Sequence, residues 1–246
     1  MEKQIQVEYL VHSYEVDYRG EAKFLSILNY LQDAAGIHAH RLGVSIEQLL
    51  PRQMTWVLSR YHLKIFRYPR WKERVRVITW PSDMQEIFAL RDFEVTDGRG
   101  EQLLVATTSW LVLSLQNRRP AKLKEVLPHF ECLERRALTD DFRPLPSPES
   151  ADLEFTVLVR QSDLDLNGHV NHSFYIQWAL ESVPREIWEN KRPAEIEAAF
   201  RGEAFGGDRI IVRTQRVKDS THPQFLHQLI KADKGTELTV LRTSWR

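Results

Sequence analysis

One short pattern occurs twice in this chain, and that limits it to folds that can be built from two like halves. Asp17-Tyr-Arg-Gly20 precedes an apolar run, Ala22 to Ala35, in which Phe24, Ile27, Leu28 and Leu31 recur at the spacing of one buried helix face. The order returns 148 positions later, with Asp165 against Asp17, Gly168 against Gly20, Trp178 against Tyr30 and Glu181 against Asp33. Thr108-Ser-Trp110 recurs as Thr243-Ser-Trp245 at a spacing of 135, and Phe66-Arg67 as Phe200-Arg201 at 134. Three matches in one order imply a duplicated domain with a length change between the copies.

Each half continues in β patterns. The first has Thr55–Phe66, Arg74–Trp80, Glu86–Thr96 and Glu101–Ser114; the second has Glu195–Arg201, Arg209–Val217, Gln224–Ala232 and Glu237–Trp245. Val75-Arg-Val-Ile-Thr alternates as an antiparallel strand with one wet face does. A helix followed by four antiparallel strands, twice, predicts an α+β chain in which each half curls a sheet around a central helix. The proline- and charge-rich stretch between them reads as a linker. The expected division is 1–116, a linker 117–150, and 151–246.

The second half carries the more informative copy. Asp165, Asn167 and His169 alternate, so an extended segment would project a carboxylate, an amide and an imidazole to one side. A helix is predicted directly after them, from His172 to Ser182, with Phe174, Tyr175, Trp178, Ala179 and Val183 apolar and Asn171 as N-cap. Polar groups converging at a buried helix start can polarise a carbonyl, and the backbone N–H groups of His169 to Asn171 are expected to help. Asp163 to Gly168 also resembles the opening of a calcium loop. The twelfth position of such a loop requires Glu, and here it is Phe174, so calcium is excluded. In the first half Arg19 stands for Asn167, Glu21 for His169 and Pro69 for Glu203. Only the Asp is kept in both, so chemistry is expected in one copy alone.

Composition narrows the class. The 34 basic residues equal the 34 acidic ones, so nothing global marks a nucleic-acid binder. No apolar run is long enough to span a bilayer, and the start, Met-Glu-Lys-Gln, lacks a secretory apolar block. A lone Cys132 forbids an internal disulfide and fits a cytoplasmic protein. No Cys/His cluster has zinc spacing, and His38 and His40, two apart, share no helix face. Neither metal nor cofactor is expected.

The chain resembles the acyl-acyl carrier protein thioesterases of plant plastids and bacteria. The resemblance lies in Asp163-Leu-Asp-Leu-Asn-Gly-His-Val-Asn171, Tyr175-Ile-x-Trp178, Leu180-Glu-Ser-Val-Pro184 with Glu186, and Phe200-Arg-Gly-Glu203. It implies two tandem hotdog domains, and hydrolysis of fatty acyl thioesters on acyl carrier protein within lipid metabolism. It also implies Asp165, Asn167, His169 and Glu203 as the catalytic group. Many plastid members have Cys after the motif Glu; here it is Ala204, so a reaction without a cysteine nucleophile is expected. Gly168 and His172 replace the usual Gln and Asn. An apolar acyl channel is expected in the first half, with Phe24, Ile27, Leu28, Met54 and Trp56 as walls and Asn171 as a further substrate contact. Docking of the acidic carrier is expected on Arg67, Arg70, Lys72 and Arg74, or on Arg118, Arg119, Lys122 and Lys124. Three alternatives stay open: an acyl-CoA thioesterase, a non-catalytic acyl-thioester sensor and, more remotely, a hydratase of this fold. The last needs Pro and a longer spacing before its His. A homodimer is one possible state, and the sequence does not fix the oligomeric state.

Overall fold

A computed structural model describes residues 2–246 and divides into two compact units, one ending at Asp141 and one spanning Phe142–Arg246. The first contains β1 (Ile5–Leu10), α1 (Phe24–Arg41), α2 (Ile46–Leu49), β2 (Met54–Ile65), β3 (Arg74–Met84), β4 (Ala89–Asp97), β5 (Gln102–Ser114) and α3 (Leu123–Val126). The second contains β6 (Leu153–Leu158), α4 (His172–Glu181), α5 (Arg185–Asn190), β7 (Pro193–Phe200), β8 (Arg209–Arg216), β9 (Gln224–Lys231) and β10 (Glu237–Trp245).

Both sheets are antiparallel and have the same order. It is β1-β3-β4-β5-β2 in the first unit and β6-β8-β9-β10-β7 in the second. The duplication read from isolated motifs therefore extends to every strand. In each unit the apolar face of the long helix lies on the sheet: Ile27, Leu28, Leu31 and Ala34 of α1 are buried, and α4 touches four of the five strands around it. The repeated Thr-x-Trp has a local cause. Residues two apart on a strand share a face, so the Trp110 indole N–H reaches the Thr108 hydroxyl at 2.9 Å and Trp245 reaches Thr243 at 3.1 Å. Each indole N–H is thus satisfied within its own strand.

The stretch read as a linker is part of the first unit as far as Asp141. Leu123, Leu127 and Phe130 bury themselves against Leu42, Val44, Leu49 and Val112. Further on, Leu133 N–H donates to the Pro81 carbonyl, and the Trp80 indole donates to the Arg135 carbonyl at 2.7 Å. The buried carboxylate of Asp92 accepts from Ala137 N at 2.8 Å, from Arg136 Nε at 3.1 Å and from the Ser82 hydroxyl. This strap covers the second face of β3, which explains why alternation fails from Thr79 to Ser82, where both faces are buried.

Candidate active site

The segment carrying Asp165, Asn167 and His169 is a tight turn instead of the extended run expected. Gly168 N–H donates to the Asp165 carbonyl at 3.0 Å, Asp165 N–H donates to the His169 carbonyl at 2.7 Å, and Gly168 has φ +73°. This is a three-residue hairpin loop closed by a left-handed glycine. The Asp165 carboxylate oxygen Oδ1 accepts from Asn167 N at 2.8 Å and His169 N at 3.4 Å. Asp17 does the same for Arg19 and Glu21, and Asp97 for Arg99 and Glu101, each beside a glycine at positive φ. The Asp kept in both copies is therefore kept by the turn.

Helix α4 starts where predicted, and Asn171 caps it: Oδ1 accepts from Ser173 N at 3.0 Å and from the Ser173 hydroxyl at 2.8 Å. The backbone amides expected to bind a carbonyl are spent within the protein. His169 N–H points to Asp165, Val170 N–H to the Ala204 carbonyl at 2.9 Å and Asn171 N–H to the Asp163 carbonyl at 2.9 Å. Folding back of the turn thus leaves none of these three amides for a carbonyl oxygen.

Glu203 lies three residues beyond β7. At Gly202 a Cβ would lie 3.0 Å from the Leu238 side chain and 3.2 Å from the Glu237 carbonyl, a tight passage that a side chain would crowd. The chain is then pinned at Ala204, whose carbonyl takes Val170 N–H and whose own N–H donates to the Tyr175 hydroxyl oxygen at 2.9 Å. Glu203 Oε1 consequently lies 3.3 Å from His169 Nδ1, with the two side chains 24% and 20% exposed. The Phe205 ring meets the imidazole edge-on, with centroids 4.8 Å apart, and Lys231 sits over the same ring. Phe205 and Tyr175 were missed as site neighbours. Tyr175 was visible as an apolar helix position, but which hydroxyl reaches which amide is a long-range fact.

The sequence and the fold have counterparts in known proteins. Models of the acyl-ACP thioesterase N-terminal and C-terminal domains match residues 2–129 and 147–246. The chain belongs to the acyl-ACP thioesterase family. Among this family's curated members, the acyl-[acyl-carrier-protein] hydrolase FATB2, chloroplastic, of Cuphea viscosissima is 30% identical, over 97% of this chain and 61% of its own length. A palmitoyl-acyl carrier protein thioesterase, chloroplastic, of Cuphea hookeriana is 29% identical over the same shares. The chain thus spans about three fifths of these relatives (61%). The solved 12:0-ACP thioesterase from Umbellularia californica superposes with TM-score 0.87 at 26% identity, covering 99% of this chain and 94% of that one. An acyl-ACP thioesterase from Bacteroides thetaiotaomicron gives 0.85 at 25%, covering 99% and 98%. The expected tandem hotdog architecture is the one the chain adopts.

The remaining expected residues fall as follows. Phe24, Ile27 and Leu28 are core of the first unit, and Met54 and Trp56 pack on its second apolar cluster, with the Trp56 indole bonded to the Val44 carbonyl. A cavity of about 500 Å³ opens between β6 and α4, lined by Val157, Leu158, Phe174, Trp178 and Glu181; none of the four proposed catalytic residues lines it. Arg67 is taken up by Glu73 and Asp97, and Lys122 by Glu86, so neither cationic cluster is wholly available to an acidic partner. No helix among the described residues is long and apolar enough to cross a membrane.

Proposed function

We propose that this chain hydrolyses the thioester of fatty acyl groups on acyl carrier protein, releasing a fatty acid and the carrier's thiol. The observation that carries the reading is the 3.3 Å approach of Glu203 to His169 beside the Asn167 turn, in a chain of this family. Glu203 takes a proton from water, and the water oxygen attacks the thioester carbonyl carbon. The Asn167 carboxamide and the His169 ring hold the developing oxyanion. Collapse breaks the C–S bond, and the thiolate recovers the proton through the His169–Glu203 pair. Glu203 is preferred to Asp165 as base because Asp165 makes turn bonds that Asp17 and Asp97 make outside the site.

The acyl chain is assigned to the first half, where it would have to part the packed side chains of Phe24, Ile27, Leu28, Met54 and Trp56 that are to wall it. The partner is acyl carrier protein, docked through arginines and lysines of the surface, and the expected compartment is the cytoplasm. Fatty-acid and thiol release should be measured on a panel of acyl carrier protein thioesters, with coenzyme A thioesters in parallel. Faster turnover of carrier substrates is expected. Release from coenzyme A alone favours the acyl-CoA reading, and release from neither leaves a binding protein.

A further inference from the structure

We propose that the cavity between β6 and α4 is a binding site for a hydroxylated aromatic ligand of the phenol class, its ring laid on Trp178 and its hydroxyl received by Glu181 beside Gln177. The first unit holds a built-in occupant at the corresponding place. There Tyr9 of β1 stacks on Tyr30 of α1, with ring centroids 4.7 Å apart and planes 16° from parallel, and its hydroxyl donates to Asp33 Oδ2 at 2.7 Å. The second unit keeps the receptor and lacks the ring. Trp178 stands for Tyr30 and Glu181 for Asp33 at the spacing of 148, and at that same spacing Tyr9 is replaced by Val157. The two edge strands agree pair for pair: Ile5 faces Thr79 and Leu10 faces Arg74, as Leu153 faces Thr214 and Leu158 faces Arg209. Tyr9 thus lies opposite Val75 and Val157 opposite Ile210. Val157, Trp178 and Glu181 all line the cavity of about 500 Å³, which opens where the smaller side chain stands.

The polar groups at the cavity call for a donor. Gln177 Oε1 is buried, and no donor among the described residues reaches it. Gln177 Nε2 donates to Glu181 Oε1 at 2.8 Å, which leaves the other carboxylate oxygen for a ligand hydroxyl, as Asp33 serves Tyr9. The second acid at the cavity is already engaged. Asp163 Oδ2 takes Arg160 N–H at 2.8 Å, the bond that Glu15 and His12 make at 2.7 Å in the first unit. The volume is that of a small-ligand site, so Leu158 and Phe174 can wall substituents on the ring. Leu158 is 58% exposed, which leaves the site open to solvent. Asp165, Asn167, His169 and Glu203 do not line it, so the inference stands apart from the hydrolase reading.

The probe is p-cresol, the tyrosine side chain as a free molecule. Added to the intact protein, it should shift the Trp178 indole N–H resonance saturably with Kd of about 1 mM, and its ring protons should give NOEs to the Val157 methyls. Toluene, the same ring without the hydroxyl, should bind about fivefold more weakly. Equal binding of the two would overturn the hydroxyl's role. p-Toluate carries a carboxylate that Arg160, which also lines the cavity, could hold. Binding of p-toluate tighter than that of p-cresol would make this an anion site and end the proposal. Val157→Tyr should rebuild the stacked pair of the first unit and abolish the p-cresol shift; an undiminished shift in that variant places the ligand elsewhere and sinks the idea. If Val157→Tyr does not fold, the parent protein decides alone, since absence of both the saturable shift and the NOEs refutes the site.

Discussion

Glu203 and Asp165 are the same chemistry held in two ways, and that difference makes separable predictions. Glu203→Gln should lower turnover by about 10²–10³-fold with an unchanged melting temperature, since its neighbours are held by main-chain bonds that the amide preserves. Asp165→Asn keeps an oxygen for the Asn167 and His169 amides, so stability should be kept and turnover should stay within about tenfold of the parent. The reverse ranking would make Asp165 the base. Cysteine chemistry is not needed at either. Ala204 is buried, and the Cys132 thiol lies half-buried in the first unit, where burial pushes its pKa up and keeps it a poor nucleophile. Alkylating Cys132 should therefore leave fatty-acid release unchanged in a discontinuous assay.

At the scale of elements, the duplicated turn is its own control. Gly20 and Gly168 have φ +74° and +73°, and a Cβ at either would meet no atom within 4 Å. Their cost on substitution is backbone strain alone, about 1 kcal/mol for each Gly→Ala. Gly20→Ala and Gly168→Ala should destabilise alike in urea titrations, but only the second should depress turnover. Equal turnover in both would detach the turn from the chemistry. These turns also show how far the sequence could be read. Asp at the first position and Gly at the fourth is a turn signal, yet alternation of Asp165, Asn167 and His169 also fits a strand. The deciding factor was a glycine φ that letters do not state. Strands Ile5–Leu10 and Leu153–Leu158 escaped notice although both alternate, because they are six residues long and stand ahead of the helices from which the repeat was read.

At the scale of the whole molecule, each unit buries a neutral imidazole. His38 is on the buried face of α1 against Arg91 and the Glu2 carbonyl, and His227 sits in a network of Ser182, Thr214 and Thr243 hydroxyls. Burial pushes them from the ordinary 6.5 down to about 4 and about 3 respectively. Between those values and 6.5 the unfolded chain binds more protons than the folded one, so stability falls as pH drops below 6.5. Each histidine should contribute a loss of about 1.4 kcal/mol per pH unit. Urea midpoints measured from pH 7 to 5 should fall, and His227→Gln should flatten that slope; an unchanged slope would mean the imidazole is already charged when folded. The strap over β3 is a second such feature. Removing the guanidinium in Arg136→Met leaves the buried Asp92 carboxylate short of a partner, and about 3 kcal/mol of stability should be lost in chemical denaturation.

The duplication, the two helices and the long strands follow from the sequence, because period, turn residues and repeated motifs are local properties of the chain, whereas the grouping of Glu203 with Asp165, Asn167 and His169 came from the family resemblance. What only the tertiary structure decided is long-range. The contact of Glu203 with His169, the Tyr175 clamp on Ala204, the loss of the turn amides to internal acceptors and the strap laid over Asp92 each join residues far apart in the chain. Their pairing is chosen by which buried donors and acceptors must be satisfied once the sheets close on their helices.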